Sequence, residues 1–393
     1  MIWLLALALY VASLSYLELV FYTWFSVELC RNLIEVSIVA TIWILAYATC
    51  AELTARTRLS PQILVILSLL LSIPATYTMF RPGSFYAGFL MHAISLALAR
   101  NALSTSVFET CDHRSWSHVT NFLTIFVNLV ASALLLIKAL GLEALEQYIP
   151  ALLIATSVIS AMLMPKAIVS ERTFLSFELK LSMLSSYTKI VDSLPYGRTT
   201  LFKSFNLFLR YWNYTYREPK LILVAMAIAT LAHTTFSTVL PYHVSETLGV
   251  RNSCLVYGVS LALSSITAWF ASMVLQPVFE TLALLSLLRL LITLLFLLNA
   301  FFPNNVVRYL MLVFGLVTIH TLYDLSLYGM YLERVCGYEM HKYHTVAEVA
   351  TLIGTMMAGI LVQRFGVNLI VFITSMIYLI SSLLTAKVWR RPY

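Results

Sequence analysis

The stretch "VTIHTLYDLSLYG", residues 317–329, places His320, Asp324 and two tyrosines inside an apolar run. His320, Asp324 and Tyr328 are spaced four apart, so on a helix they share one face. A second carboxylate, Glu18, sits in the apolar run at the start of the chain, flanked by Tyr16 and Tyr22; Tyr323 adjoins Asp324. His92 and His233 stand alone in two further runs. Carboxylates and imidazoles of this kind take up and release protons, and tyrosine hydroxyls hydrogen-bond polar solutes. Residue type and place in apolar runs make Glu18, His92, His233, His320, Asp324, Tyr16, Tyr22, Tyr323 and Tyr328 candidates for binding substrate or protons.

The surrounding chain explains why such groups are costly. Of the 393 residues, 60% are hydrophobic and 11% charged, against about 25% charged in a soluble domain. The solvent these sequences fit is lipid. Apolar runs of about 20 residues recur, each long enough for a hydrocarbon core of roughly 30 Å. Backbone polar groups have no water there, so each run is expected to be a helix. The pattern predicts an all-α integral membrane protein with twelve spans, at 2–26, 32–51, 62–80, 84–104, 118–139, 149–168, 219–241, 253–275, 281–301, 306–330, 344–362 and 367–388. The first run has no basic lead and reads as an uncleaved helix, not a signal peptide.

The net charge of +7 points to lipid rather than nucleic acid. With both termini in the cytoplasm, inner segments hold about 18 Lys/Arg and outer ones about 6, the bias expected of a multi-pass protein of the cell membrane. Arg100 is counted among the inner charges. The five cysteines form no C-x-x-C pair and suggest no disulfide framework.

The longest polar stretch, 169–218, separates an N-terminal bundle (1–168) from a C-terminal bundle (219–393). Within it Phe174, Phe177, Leu181, Leu184 and Ile190 recur at helical spacing. "LFKSFNLFLRYWNYTYR" mixes aromatic and basic residues. Both pieces are expected to lie on the inner leaflet. The halves echo one another: "WFSVELCRNLIEVSIVATIWILAYA" follows the first span and "YHVSETLGVRNSCLVYGVSLALSS" the seventh, with Glu28 and Glu246 at matching places. Such repeats are typical of carriers that rock about a midplane site.

At this point the sequence resembles the major facilitator superfamily. "STVLPYHVSETLGVRNSCLVYG" (237–258) is similar to that family's seventh span, outer turn and eighth span. "GTMMAGILVQRFG" (354–366) is similar to its eleventh span and the turn into the twelfth. "AELTARTRLSPQ" (51–62) resembles its Gly-x-Leu-x-Asp-Arg-x-Gly-Arg-Arg gate: Leu53, Arg56 and Arg58 fit, and Ala51 and Ala55 depart. His92 stands near the place where span four of the family often carries an arginine. The resemblance implies two six-helix bundles whose spans one, four, seven and ten line a central cavity. Glu18, His92, His233, His320 and Asp324 fall on those four spans. Arg56 and Arg58 are implied as gating residues.

The remaining ionisable residues read differently. Arg289, on span nine, is expected to snorkel inward in a structural role. His341, His344 and Glu348 make an H-x-x-H-x-x-x-E string without a fixed third ligand, and no metal is assigned. Asn121 and Asn128 either face the cavity or brace it. No phosphate loop, metalloprotease helix or nucleophile elbow occurs, and no cofactor is implied. The expected function is a secondary transporter, not an enzyme, moving a small neutral or cationic solute by alternating access, with protons as coupling ion. Two alternatives remain: a membrane enzyme on lipid-linked substrates, using Glu109, Asp112 and His113, or a transporter-like sensor. The lean towards a neutral or cationic solute rests on two acids and no Lys or Arg at the midplane of the four lining spans.

Overall fold

The computed structural model describes residues 2–28, 33–57, 59–110, 116–141, 148–164, 218–274, 279–298, 305–335 and 340–389. Among them twelve helices follow in order: α1 Ile2–Glu28, α2 Leu33–Thr57, α3 Pro61–Thr78, α4 Phe85–Thr110, α5 Trp116–Ala139, α6 Ile149–Leu163, α7 Glu218–Ser237, α8 Leu240–Val274, α9 Phe279–Leu298, α10 Asn305–Val335, α11 Met340–Phe365 and α12 Val367–Trp389. Nine stretches among the described residues are long and apolar enough to cross a membrane, so the chain is a multi-pass membrane protein. One of the nine, Lys220–Thr267, is 48 residues long and holds enough chain for two passes. α4 falls below that apolarity because it carries His92, Arg100 and Asn101, and α6 has 15 residues.

Local chemistry sets the joints. Ser60 caps α3, its hydroxyl accepting from Ile63 N at 3.4 Å, and Pro61 takes the first turn, where its missing N–H costs nothing. Gly249 (φ +79°) interrupts α8, and Gly366 (φ +78°) turns α11 into α12. Both use the left-handed region that side chains disfavour. A short break after Ser237 separates α7 from α8, and Gly249 breaks the helix within 242–252, the turn expected between spans seven and eight.

The buried residues form three cores. Residues of α1–α6 build one core, to which Cys254 of α8 also belongs. Residues of α7–α12 build two more, one around Tyr323 and Tyr331, the other around Leu312 and Val371. Within the N-terminal half a hydroxyl ladder ties three helices: Tyr10 OH lies 2.8 Å from Ser68 Oγ, and Ser68 Oγ 2.9 Å from Ser95 Oγ.

The halves meet where α5 packs on α8 and α2 on α11. Small residues let the backbones approach. Ser132 Oγ donates to Gly258 O at 2.6 Å, and Gly359 N donates to Ser37 Oγ at 2.5 Å. A Cβ on Gly258 would stand 3.0 Å from Leu136, and one on Gly359 would stand 2.8 Å from the Ile34 backbone. Arg251 of α8 reaches the end of α5, Nε donating to Ala139 O at 2.6 Å and Nη2 to Leu140 O at 3.4 Å. The start of α2, the end of α5, the start of α8 beyond Gly249 and the end of α11 all lie at the end of the molecule that carries the α1–α2 and α11–α12 joints. The halves are clamped there.

The central segment 169–218, expected to hold interfacial helices, lies outside the described residues except for Glu218. So do Arg58, Asp112 and His113; of Arg56 only its place in α2 is described.

Gly359→Ala is expected to wedge α11 from α2 and loosen the clamp. The reporter is Cys254, fully buried at the seam, with Cys30, Cys50, Cys111 and Cys336 replaced by serine. Its reaction with a water-soluble maleimide is expected to speed up several-fold in the Gly359→Ala background; equal rates would show that this contact does not hold the clamp.

Candidate functional site

The C-terminal half collects the densest polar group. α7 presents His233 and α10 presents His320, with ring centroids 3.7 Å apart and planes inclined by 15°. Two imidazolium charges so close would repel by about 4 kcal/mol at an effective dielectric of 20, which disfavours a doubly charged stack. His320 Nδ1 lies 2.7 Å from Tyr378 OH on α12. Behind that ring, the guanidinium of Arg289 on α9 stacks 4.0 Å from the Tyr378 centroid. One turn along α10, Asp324 Oδ1 accepts from Tyr343 OH of α11 at 2.7 Å. Tyr328 meets the Tyr343 ring edge-on at 5.1 Å.

Exposure grades across this group. His233, His320, Asp324 and Tyr328 are partly exposed, whereas Arg289, Tyr323, Tyr343 and Tyr378 are buried. Tyr323, expected on the wet side, is 0% exposed and donates to Ser381 Oγ at 2.9 Å, so its hydroxyl serves helix packing. Arg289 reaches inward to the Tyr378 ring and is 0% exposed.

The N-terminal half holds the second group. Glu18 on α1 is partly exposed. Arg100, eight residues after His92 on α4, is exposed, and its Nη2 donates to Ser15 Oγ at 3.4 Å. The guanidinium lies 5.7 Å from the Tyr47 ring of α2 and interacts electrostatically with Glu18. The inner-loop placement of Arg100 is thereby corrected: it lies within α4 and lines a cavity of about 280 Å³ with Ser104, Thr124 and Asn128. Asn128 lines this pocket between α1, α4 and α5; the side chain of Asn121 is not described. The premise that the four lining helices carry no Lys or Arg fails with Arg100. His92, by contrast, is 1% exposed and lies parallel to Phe89 at 6.4 Å. Tyr22 packs edge-on against Phe89 at 5.4 Å. Tyr16, 2% exposed, borders a separate cavity of about 260 Å³ with Trp24, Phe80, Lys138 and Val250.

The structure thus brings His233, His320, Asp324 and Tyr328 together on α7 and α10, and Glu18 with Arg100 on α1 and α4. Tyr343 and Tyr378 escaped sequence reasoning, since a tyrosine in a span carries no sign of its partner. Arg100 was legible, lying inside the run 84–104. Glu348 is exposed on α11; the side chains of His341 and His344 are not described, and among the described residues no group of three metal-binding side chains occurs.

No family model and no curated protein matches the chain. Solved structures do. A POT family transporter in complex with a thioalcohol-conjugated peptide is 11% identical over 98% of this chain and 96% of its own, with a TM-score of 0.63. The peptide transporter POT in complex with sulfate is 12% identical over 98% and 94%, with a TM-score of 0.62. The xylose transporter XylE from E. coli, in a partially occluded inward-open conformation, is 12% identical over 100% and 98%, with a TM-score of 0.60. At such identity the likeness establishes the fold: the chain has the all-helical, major-facilitator-like architecture.

Tyr343→Phe removes a donor from Asp324. An intramembrane hydrogen bond contributes about 1 kcal/mol, so the thermal midpoint of detergent-purified protein is expected to fall by a few degrees. An unchanged midpoint would show that Asp324 is held by other partners.

Proposed function

We propose that this protein is a secondary transporter of the cell membrane that moves a small polar solute by alternating access, with protons as coupling ion. Its two six-helix halves, twelve passes in all, rock about the cavity, and both termini lie in the cytoplasm. The observation that carries the reading is the placement of exposed or partly exposed ionisable groups on α1, α4, α7 and α10 of two halves joined at one end. Glu18, Arg100, His233, His320 and Asp324 are those groups. Ionisable residues inside a bundle mark substrate and ion pathways because their burial is otherwise unfavourable. With the termini inside, the clamped end is the outer one, and the solute path opens inward. The transporter architecture of the solved neighbours supports the same reading.

Proton exchange falls to Asp324 with Tyr343, to the His233–His320 stack and to Glu18. A carboxylate that binds a proton in one state and releases it in the other couples the two movements. Arg100 beside Glu18 places both signs of charge at the N-terminal group. The solute class accordingly widens from neutral or cationic to small polar molecules, zwitterions included. The three buried side chains (His92, Tyr16 and Tyr323) then support the site, while Tyr22 and Tyr328 border it, and Arg56 and Arg58 gate the cytoplasmic end.

Purified protein in sealed proteoliposomes, offered a panel of sugars, amino acids and short peptides, is expected to accumulate at least one of them when a pH gradient is imposed. Glu18→Gln and Asp324→Asn are each expected to abolish that accumulation while the protein stays inserted. Gradient-driven uptake undiminished in both variants would remove the proton role, and no flux of any solute would favour a sensor.

A further inference from the structure

Arg289 is a cation inside the protein with its in-plane donors unused. Its side chain is 0% exposed, and Nε, Nη1 and Nη2 have no hydrogen-bond partner among the described residues. The Tyr378 ring covers one face of the guanidinium at 4.0 Å. A cation–π contact uses the face of the group and leaves the five N–H bonds at its edge unused. An unpaired, desolvated charge is among the least favourable features a core can hold. The polar neighbours do not supply the missing charge. The two histidine rings carry no negative charge, His233 Nδ1 is itself buried without a partner, and Asp324, whose Oδ1 accepts from Tyr343, makes no hydrogen bond to the guanidinium. Water would satisfy the donors and leave the charge unmatched.

We propose that Arg289, Tyr378 and the His233–His320 stack form the wall of a buried site for one compact monovalent anion. A single negative charge neutralises the guanidinium and accepts from its edge. The occupant must be small, because Arg289 has no exposed surface. It must arrive past His233 and His320, the partly exposed members of the cluster. Two sources share this chemistry, a free halide such as chloride and the carboxylate of an organic solute. The site rests on the buried guanidinium and exists whether or not the protein transports anything.

The test is the thermal midpoint of full-length protein in detergent, in sodium gluconate exchanged at constant ionic strength for sodium chloride or sodium formate. Gluconate is too bulky for the site. A saturable rise of several degrees is expected in chloride, in formate or in both, and its absence in Arg289→Met. A rise with chloride alone assigns the site to a free ion; a rise with formate alone assigns it to a solute carboxylate. Midpoints equal in all three salts, or an unchanged response in Arg289→Met, would overturn the proposal. Should Arg289→Met fail to fold, equilibrium dialysis of the wild-type protein decides. One radioactive chloride or formate bound per chain supports the site, and neither bound refutes it.

Discussion

A polar side chain that enters a bilayer has no water to bond, so its partner must come from the protein. That requirement organises this molecule more than any single apolar contact. Lipid chains are as apolar as leucine, and helices gain little by hiding leucines from them. What fixes the helices to one another is the close fit of small residues and the pairing of hydroxyls. Tyr10, Ser68 and Ser95 bind α1, α3 and α4, while Thr293 and Ser375 join α9 to α12 at 2.7 Å. Ser381 adds a bond to the Ala225 carbonyl that ties α12 to α7. The ionisable residues obey the same rule under a heavier cost, which is why Asp324 meets Tyr343 and His320 meets Tyr378.

The candidate site is layered as a result. The imidazoles and carboxylates on α7, α10 and α1 are partly exposed, and behind those of the C-terminal group stands a second rank of tyrosines from α11 and α12. The second rank orients the first: a histidine whose Nδ1 is held by Tyr378 has a fixed ring plane, and a carboxylate held by Tyr343 has a fixed rotamer. The two halves contribute unequally, with a compact stack and acid in the C-terminal half and a single acid–guanidinium neighbourhood in the N-terminal one.

Much of this was legible in the sequence because it follows from counting along one helix. The helical runs, the shared face of His320, Asp324 and Tyr328, and the placing of charged residues on α1, α7 and α10 need only the 3.6-residue period and the cost of burying charge. What was not legible depends on contacts between helices far apart in the chain. His92 and Tyr323 sit at suitable heights but are turned into the packing, a rotation that hydropathy does not encode. Arg289 looked peripheral because its helix is peripheral, yet its side chain points inward to Tyr378. Arg100 was placed with the loops because basic residues near a span end usually belong there, whereas α4 continues to Thr110.

The contact between Arg251 and the last carbonyls of α5 has a consequence of its own. An arginine from one half completes the hydrogen bonding at the tail of a helix in the other, where the helix dipole is negative. Arg251 is exposed, so this attraction acts through water and is screened by salt. The ionic strength of the fluid bathing that end is therefore part of the balance between joined and parted halves. The same chain will rest differently in brine and in fresh water.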